Sequence, residues 1–367
     1  MKKMFLFLLC VLLCTLSACS AQNSTKKDSS SESDASADVT TEAPAVTFTE
    51  KMKADIDSLM IEYEFEGAAY LTQNGTVVWQ YANGKDVSGN DISVDTPLPI
   101  GSVSKQFCAV AILTLRDSGK LSLDDTLDKF FPEFTEGKKL SIRNLLTMRS
   151  GIYDVVNHGS LDGVSETNTY EDNRKAVLKA IFDMPLTFEP DTWYEYSNSN
   201  YILLSAIVEK ASGQSYIEYL RSTLLEPLGM NKTGSIDEYQ GSVPAWAGGL
   251  DYSDITGLPT GAGDIVSAAT DMDKWMTGLR SGKVISSESY REMTTDHSSD
   301  SGEAYGYGLN LSYKNGVGHP GNIMIADTPY AAFDYFSDEY GYNLIIEGSD
   351  CMNVLDMGTD IINVIYG

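Results

Sequence analysis

The chain has 367 residues, with 52 acidic side chains against 26 basic ones and a formal net charge of −26. The acidic balance argues against nucleic acid as a partner and against electrostatic adhesion to anionic lipid. The length is more than one small core requires and allows two lobes.

The N-terminal end reads as a leader rather than as part of the fold. Lys2 and Lys3 precede an apolar run, Met4 to Leu13, that is too short for a comfortable membrane span and reads as a signal peptide over residues 1–18. Leu16-Ser17-Ala18-Cys19 resembles the lipobox of bacterial lipoproteins, which would leave Cys19 lipidated and hold the protein at the extracytoplasmic face of a membrane. The alternative is an ordinary secretory signal with Cys19 near its cleavage site by chance. Loss of Lys2 and Lys3 takes the charge from −26 to −26 − 2 = −28. Residues 19–46 are dominated by Ser, Thr, Asp, Glu and Ala, cannot bury enough apolar surface to order themselves, and read as a disordered tether.

From Thr47 the patterning changes. Phe48 to Glu62 has the spacing of an amphipathic helix, and Gly67–Gln73 and Thr76–Tyr81 read as strands joined by the Asn74-Gly75 turn. After a polar loop, Gly101-Ser102-Val103-Ser104-Lys105 opens a helix that reaches Asp117 and stops at Gly119. Helices are predicted over Ile142–Met148, Arg174–Phe182, Asn200–Ala211, Tyr216–Leu225 and Ala268–Leu279, with a loop over Gly248–Gly263. Strands are predicted over Gly306–Tyr313, Tyr330–Ser337 and Tyr342–Gly348, His319 enters a further one, and Met352–Ile365 forms a last helix. Strands at both ends with helices between predict an α/β fold: a sheet lobe from residues 47–125 and 260–367, with a mainly helical lobe from 126–259 inserted.

Ser102 and Lys105 stand one helical turn apart on one face. Serine is a poor nucleophile until a base takes its proton, and lysine, at a pKa of about 10.4, is a poor base unless burial or positive neighbours lower it. Phe107-Cys108-Ala109-Val110-Ala111-Ile112-Leu113 is apolar on every face, so Lys105 begins a buried helix, near the positive end of its dipole. The bland alternative is a helix-capping Ser102 beside an exposed Lys105, and Ser24-Thr25-Lys26-Lys27 in the tether matches the same pattern. Tyr196-Ser197-Asn198 offers a phenol to move protons and an amide to hold a carbonyl or an amine; the alternative is a packed aromatic. His319-Pro320-Gly321 brings a glycine that lets a substrate backbone approach a strand edge. Of the five cysteines, Cys10 and Cys14 leave with the signal and Cys108 reads as a small core residue. His158, His297 and His319 are far apart and no His-x-x-x-His or Cys-x-x-Cys pair exists, so no metal or other cofactor is expected.

Taken in this order, Ser102-x-x-Lys105, Tyr196-x-Asn198 and His319-x-Gly321 resemble the serine β-lactamase and penicillin-binding family, in its class C β-lactamase, DD-peptidase and esterase-like branch. Asp95-Thr96-Pro97, Gly119-Lys120-Leu121-Ser122-Leu123-Asp124-Asp125, Leu145 to Gly151 and Pro227-Leu228-Gly229-Met230 extend the likeness over roughly Thr47 to Gly367. The resemblance implies a β-lactamase/transpeptidase-like fold, with an antiparallel sheet flanked by helices. It implies Ser102 as nucleophile, Lys105 and Tyr196 as proton carriers and Asn198, His319 and Gly321 at the substrate. The oxyanion would sit on the backbone N–H groups of Ser102 and Asn322.

His319 and Pro320 stand where the family has a lysine and a hydroxyl residue that help hold a substrate carboxylate, and a neutral imidazole and a proline cannot do that equally well. The expectation is therefore an exported serine hydrolase of peptide, amide or ester bonds, acting on a small molecule or a peptidoglycan-derived peptide (a D-Ala-type carboxypeptidase, amidase or esterase). The alternatives are a class C-type β-lactamase and a catalytically inactive binding lipoprotein on the same fold.

Overall fold

A computed structural model of the chain describes residues 47–158, 161–165, 168–239, 260–325, 328–349 and 353–367. The expected signal peptide, Cys19, the tether and residues 248–259 of the expected loop lie outside the described residues.

Thr49 caps the first helix, α1 (Glu50–Glu62), its hydroxyl accepting from the Met52 N–H at 3.2 Å. Strand β1 (Gly67–Gln73) returns as β2 (Thr76–Asn83) through Asn74 and Gly75, both at positive φ as a tight hairpin of this kind requires. A short β3 (Leu98–Pro99) leads into α2 (Ser104–Asp117), preceded by one tighter 3-10 turn, Gly101–Val103, that carries Ser102. The helices α3 (Ile142–Leu146), α4 (Val155–His158), α5 (Tyr170–Asp183), α6 (Asn198–Ser212), α7 (Tyr216–Leu220) and α8 (Glu226–Leu228) follow. Then come β4 (Gly234–Ser235), β5 (Ile265–Ser267), α9 (Ala269–Arg280) and α10 (Ser287–Met293). The chain ends in β6 (Val317–Ile325), β7 (Thr328–Phe336), β8 (Tyr342–Ser349) and α11 (Val354–Tyr366).

The five long strands form one antiparallel sheet in the order β2-β1-β8-β7-β6, so the N-terminal hairpin pairs with the last strand of the chain. Ile56 and Met60 of α1 and Met357, Ile361 and Ile365 of α11 pack on one face against Leu71, Phe333, Leu344 and Ile346. The other face, through Ala332 and Ile345, joins a larger core with α2, α6 and α9. Central strand β8 is thus covered on both faces and is buried along almost its whole length, Asn343 and Glu347 included. A second small sheet, β3-β5-β4, lies beside the turn before α2. Cys108 is fully buried in α2, a core residue as its surroundings in sequence predict.

One expected strand is not there. Residues 306–313 make isolated bridges only, Tyr305–Asn310 and Asn310–Gly318, and the edge strand is β6 instead. Tyr305, Tyr307 and Leu309 are all buried, so the alternation that imitates a strand is real burial, but of a loop. Gly308, at φ +69°, presses on the backbone of α2, where a Cβ would sit 2.8 Å from the Lys105 carbonyl oxygen, and the chain bends there instead of extending. Helices α4 and α10 are short and their sequences carry no long apolar period, so they go unread. Helix α5 starts at Tyr170, before the expected Arg174, because Thr169 caps it by accepting from the Asp172 N–H.

Glu347 of β8 is fully buried facing α9, and neither carboxyl oxygen has a hydrogen-bond partner among the described residues. Burial, then the charge of Asp271, hold its carboxyl well above the usual range; the Ala269 N–H opposes them without reaching hydrogen-bonding geometry. The folded chain therefore keeps a proton that the unfolded chain releases above a pH of about 4.5, the ordinary value. Stability linked to that proton is complete below the unfolded pKa and is lost as pH rises toward the folded one. The Tm of Glu347→Gln should match that of the parent near about pH 4 and exceed it increasingly toward about pH 8. Parallel Tm curves across that range would contradict a proton held there by burial.

Candidate active site

The site is assembled around the turn that precedes α2. On one side β5 pins it: the Ile100 N–H donates to the Ile265 carbonyl at 3.1 Å and the Ile265 N–H to the Ser104 hydroxyl at 3.1 Å. On the other side β6 lies directly against it. A Cβ on Gly321 would stand 2.1 Å from the Ile100 carbonyl oxygen and 2.8 Å from the Ser102 nitrogen. A Cβ on Gly101, which also has φ +49°, would stand 2.8 Å from the Asn322 nitrogen. Two glycines thus let the backbones at 100–102 and 321–322 touch, bringing the two N–H groups expected at an oxyanion onto adjoining segments.

Lys105 is 0% exposed. Its Nζ lies 2.9 Å from Ser102 Oγ, and it donates to Asn198 Oδ1 at 2.8 Å and to the Ala262 carbonyl at 2.7 Å. The rings of Tyr196 and Tyr201 stand 4.9 Å and 5.8 Å from the nitrogen. Burial dominates its titration and brings it down to about 7, against the weaker upward pull of Asp154, Cys108 and Asp264. The Tyr196 hydroxyl donates to Ser102 Oγ at 2.9 Å, and burial pushes its own pKa far above the ordinary tyrosine value, so it stays a donor. Asn198 is the first residue of α6, and its side chain lies between Lys105 and Asp154. Around neutral pH the arrangement therefore offers an amine that can be free of its proton, a hydroxyl beside it and a phenol that holds its proton.

His319 lies next to this group but turns inward. It is 3% exposed, its ring 6.1 Å from that of Tyr196, with Nε2 3.3 Å from the Tyr305 hydroxyl and Nδ1 2.5 Å from the Pro320 carbonyl oxygen. A carbonyl oxygen only accepts, so Nδ1 carries the proton and Nε2 accepts from Tyr305. Burial, then the nearby Lys105 charge, lower its pKa to about 3, and the ring is neutral. The His319 backbone N–H donates at 2.8 Å to Asp334, which is fully buried and also receives the Gln106 amide at 2.9 Å and 2.7 Å. Through Gln106, the residue after Lys105, this carboxylate ties α2 to β6 behind the site.

Ser102, Lys105, Tyr196, Asn198, His319, Gly321 and Asn322 are thus all brought together from three distant stretches of chain. Three participants have no sequence signal of that kind: the Ala262 carbonyl, Tyr305 and Asp154. Asp154 is 6% exposed, and its Oδ2 accepts from the Asn198 backbone N–H at 3.2 Å and from Asn198 Nδ2 at 3.1 Å. It also caps α4, its Oδ1 accepting from the Val156 and Asn157 backbone N–H groups.

A family model described as Beta-lactamase matches residues 52–336. The putative penicillin-binding protein PbpX of Bacillus subtilis is 32% identical over 286 residues, 73% of this chain and 69% of that protein. Among solved structures, FmtA from Staphylococcus aureus superposes with a TM-score of 0.69 at 21% identity, covering 86% of this chain and 87% of that one. D-amino acid amidase from Ochrobactrum anthropi SV3 superposes with a TM-score of 0.69 at 22% identity, covering 86% and 98%. The β-lactamase/transpeptidase-like fold read from the motifs is the fold of these neighbours.

The contact between β6 and the turn gives a direct test. Gly321→Ala must push the strand off Ser102, and a displacement of about 1 Å costs on the order of a hundredfold in reaction rate. The rate at which a fluorophosphonate labels Ser102 should fall about that far while the protein still melts cooperatively. An unchanged rate would show that the close approach has no bearing on the reactive serine.

Proposed function

The chain belongs to the β-lactamase family of serine hydrolases, and from that premise we propose that it is an exported, membrane-tethered member that cleaves peptide, amide or ester bonds through an acyl-enzyme on Ser102. The observation that carries this reading is the hydrogen bonding of Lys105. A neutral amine has two N–H groups and one lone pair. Asn198 Oδ1 and the Ala262 carbonyl can only accept, so they take the two N–H groups and leave the lone pair to the Ser102 hydroxyl. Tyr196, held protonated, donates to the same oxygen from its other side.

In this reading Lys105 takes the Ser102 proton as Oγ attacks the carbonyl carbon. The resulting oxyanion rests on the N–H groups of Ser102 and Asn322; one such donor is worth about a hundred- to a thousandfold in rate. The C–N or C–O bond then breaks, and the leaving group receives a proton through Tyr196, which Lys105 replenishes. Water repeats the sequence on the acyl-enzyme and releases the acid. Asn198 holds Lys105 and lies within reach of an incoming substrate carbonyl.

The preference for peptide, amide or ester bonds over efficient β-lactam hydrolysis rests on charge. Segments 100–106, 148–154, 194–198, 260–264, 303–307 and 318–323 contain no lysine or arginine besides Lys105 and Arg149. Arg149 is clasped by the Asp300 carboxylate and the Asp191 carbonyl. With His319 neutral and buried, these segments offer no free cation to a substrate carboxylate. The names of the relatives, a penicillin-binding protein and a D-amino acid amidase, fit a peptide or amide substrate of cell-wall type. Cys19 and the polar tether supply the membrane address, since two or more acyl chains on one residue anchor a soluble domain stably.

A fluorescent penicillin or a fluorophosphonate should add one adduct to Ser102, located by mass spectrometry, and Ser102→Ala should remove both the adduct and turnover of p-nitrophenyl esters or D-amino-acid amides without lowering Tm. Because the base is the neutral amine, the acylation rate should rise with pH through about 7 and level off above it. A rate independent of pH from about 5 to about 9, or an active Ser102→Ala variant, would overturn the proposal. Metabolic labelling with palmitate, lost in Cys19→Ser, tests the anchor separately.

A further inference from the structure

We infer that Asp154 is a positioning residue for the base: by holding the Asn198 amide in one orientation, it decides that the lone pair of Lys105 points at Ser102. The inference rests on the reading of Ser102 and Lys105 given above and extends it to a residue that none of the three motifs contains.

The orientation of an amide group is a question of which atom meets a donor and which an acceptor. On one side Asn198 meets the Asp154 carboxylate, 3.1 Å from Nδ2; on the other it meets Lys105 Nζ, 2.8 Å from Oδ1. A carboxylate only accepts, so the amide nitrogen must face Asp154 and the oxygen must face the lysine. Lys105 alone would not enforce this. A neutral amine can donate to an amide oxygen or accept from an amide N–H, and both contacts are favourable. If the amide turned over, its N–H would occupy the lysine lone pair. Lys105 would then donate to Ser102, and the pair would lose its base while keeping almost every contact distance.

Asp154 itself is held rigidly. Its Oδ1 accepts from the backbone N–H groups of Val156 and Asn157 at 3.0 Å and 3.2 Å, and its Oδ2 from Asn157 Nδ2 at 2.8 Å. The Val155 N–H donates to the Ser199 hydroxyl at 3.1 Å, which docks α4 on α6 beside Asn198. The same oxygen that meets the Asn198 amide also receives the Asn198 backbone N–H, so the start of α6 and the amide are set by one atom. Asp154 also has the largest favourable charge interaction with Lys105.

Asp154→Asn separates positioning from capping, because it keeps the shape and an oxygen for the α4 cap but can turn an N–H toward Asn198. Rates of Ser102 acylation are read as ratios to wild type, so a wild type that fails to react tests the reading of Ser102 and not this inference. The variant should lose about ten- to a hundredfold in acylation rate. The pH midpoint of the residual activity should fall, since a negative charge beside the lysine has gone. The second change D154N/N198D offers an acceptor toward both position 154 and Lys105, and it should recover part of the rate. Should D154N fail to fold, Asp154→Ser keeps a capping oxygen but not the reach to Asn198, and the same loss is expected. A wild-type rate in whichever variant folds, or a loss with an unmoved pH midpoint and no recovery in D154N/N198D, would overturn the inference.

Discussion

Everything at this site depends on removing one amine from water. Lys105 costs free energy to bury in its charged form, and the chain makes that cost unavoidable by placing it at the head of a helix whose next residues, Phe107 to Leu113, are all fully buried. The amine is compensated as a neutral group, by one amide oxygen and one backbone carbonyl. Those two acceptors match its two N–H groups and leave its lone pair for Ser102. In the proposed mechanism the base is thus made by the core, and its direction by its polar partners.

The sheet supplies the second constraint. A nucleophile one turn before a buried lysine is useful only if the donors for the developing negative charge are within reach. That requires the edge strand β6 to touch the turn at Ser102. Gly101 and Gly321 permit the contact, and the buried Asp334 enforces it from behind, joining the His319 backbone to Gln106. Asp334 is pushed up to about 7 by burial, so this brace and the lysine change protonation over a similar range of pH. His319 is part of the same brace. Its ring nitrogens serve Tyr305 and the Pro320 carbonyl, and a neutral ring in that position leaves the strand without the cation that a carboxylate-bearing substrate would want.

Much of this was legible in the sequence because the chemistry is local. Ser102 and Lys105 are three residues apart, and the apolar helix after them announces burial. Tyr196 and Asn198 are two residues apart at a helix start, and the glycine of His319-x-Gly321 announces a close approach. The central strand β8 and the hairpin at Asn74-Gly75 were equally plain. What could not be read lies in pairings across the fold. Asp154 matters because α4 docks on α6, 44 residues further on. Ala262 matters through a carbonyl, which no side-chain pattern reports. The stretch 306–313 was misread because a buried loop with Tyr305, Tyr307 and Leu309 pointing inward shows the same alternation as a half-buried strand.

The protonation state of Lys105, a neutral amine near physiological pH on the mechanism proposed above, can be measured without any substrate. In protein labelled at the lysine ε-carbon, the resonance lost in Lys105→Arg identifies Lys105, and its chemical shift can be followed from about pH 5 to about pH 11. A midpoint near 7 is expected. A midpoint close to the ordinary 10.5 would mean that the amine stays charged beside Ser102, and the base would have to be sought elsewhere.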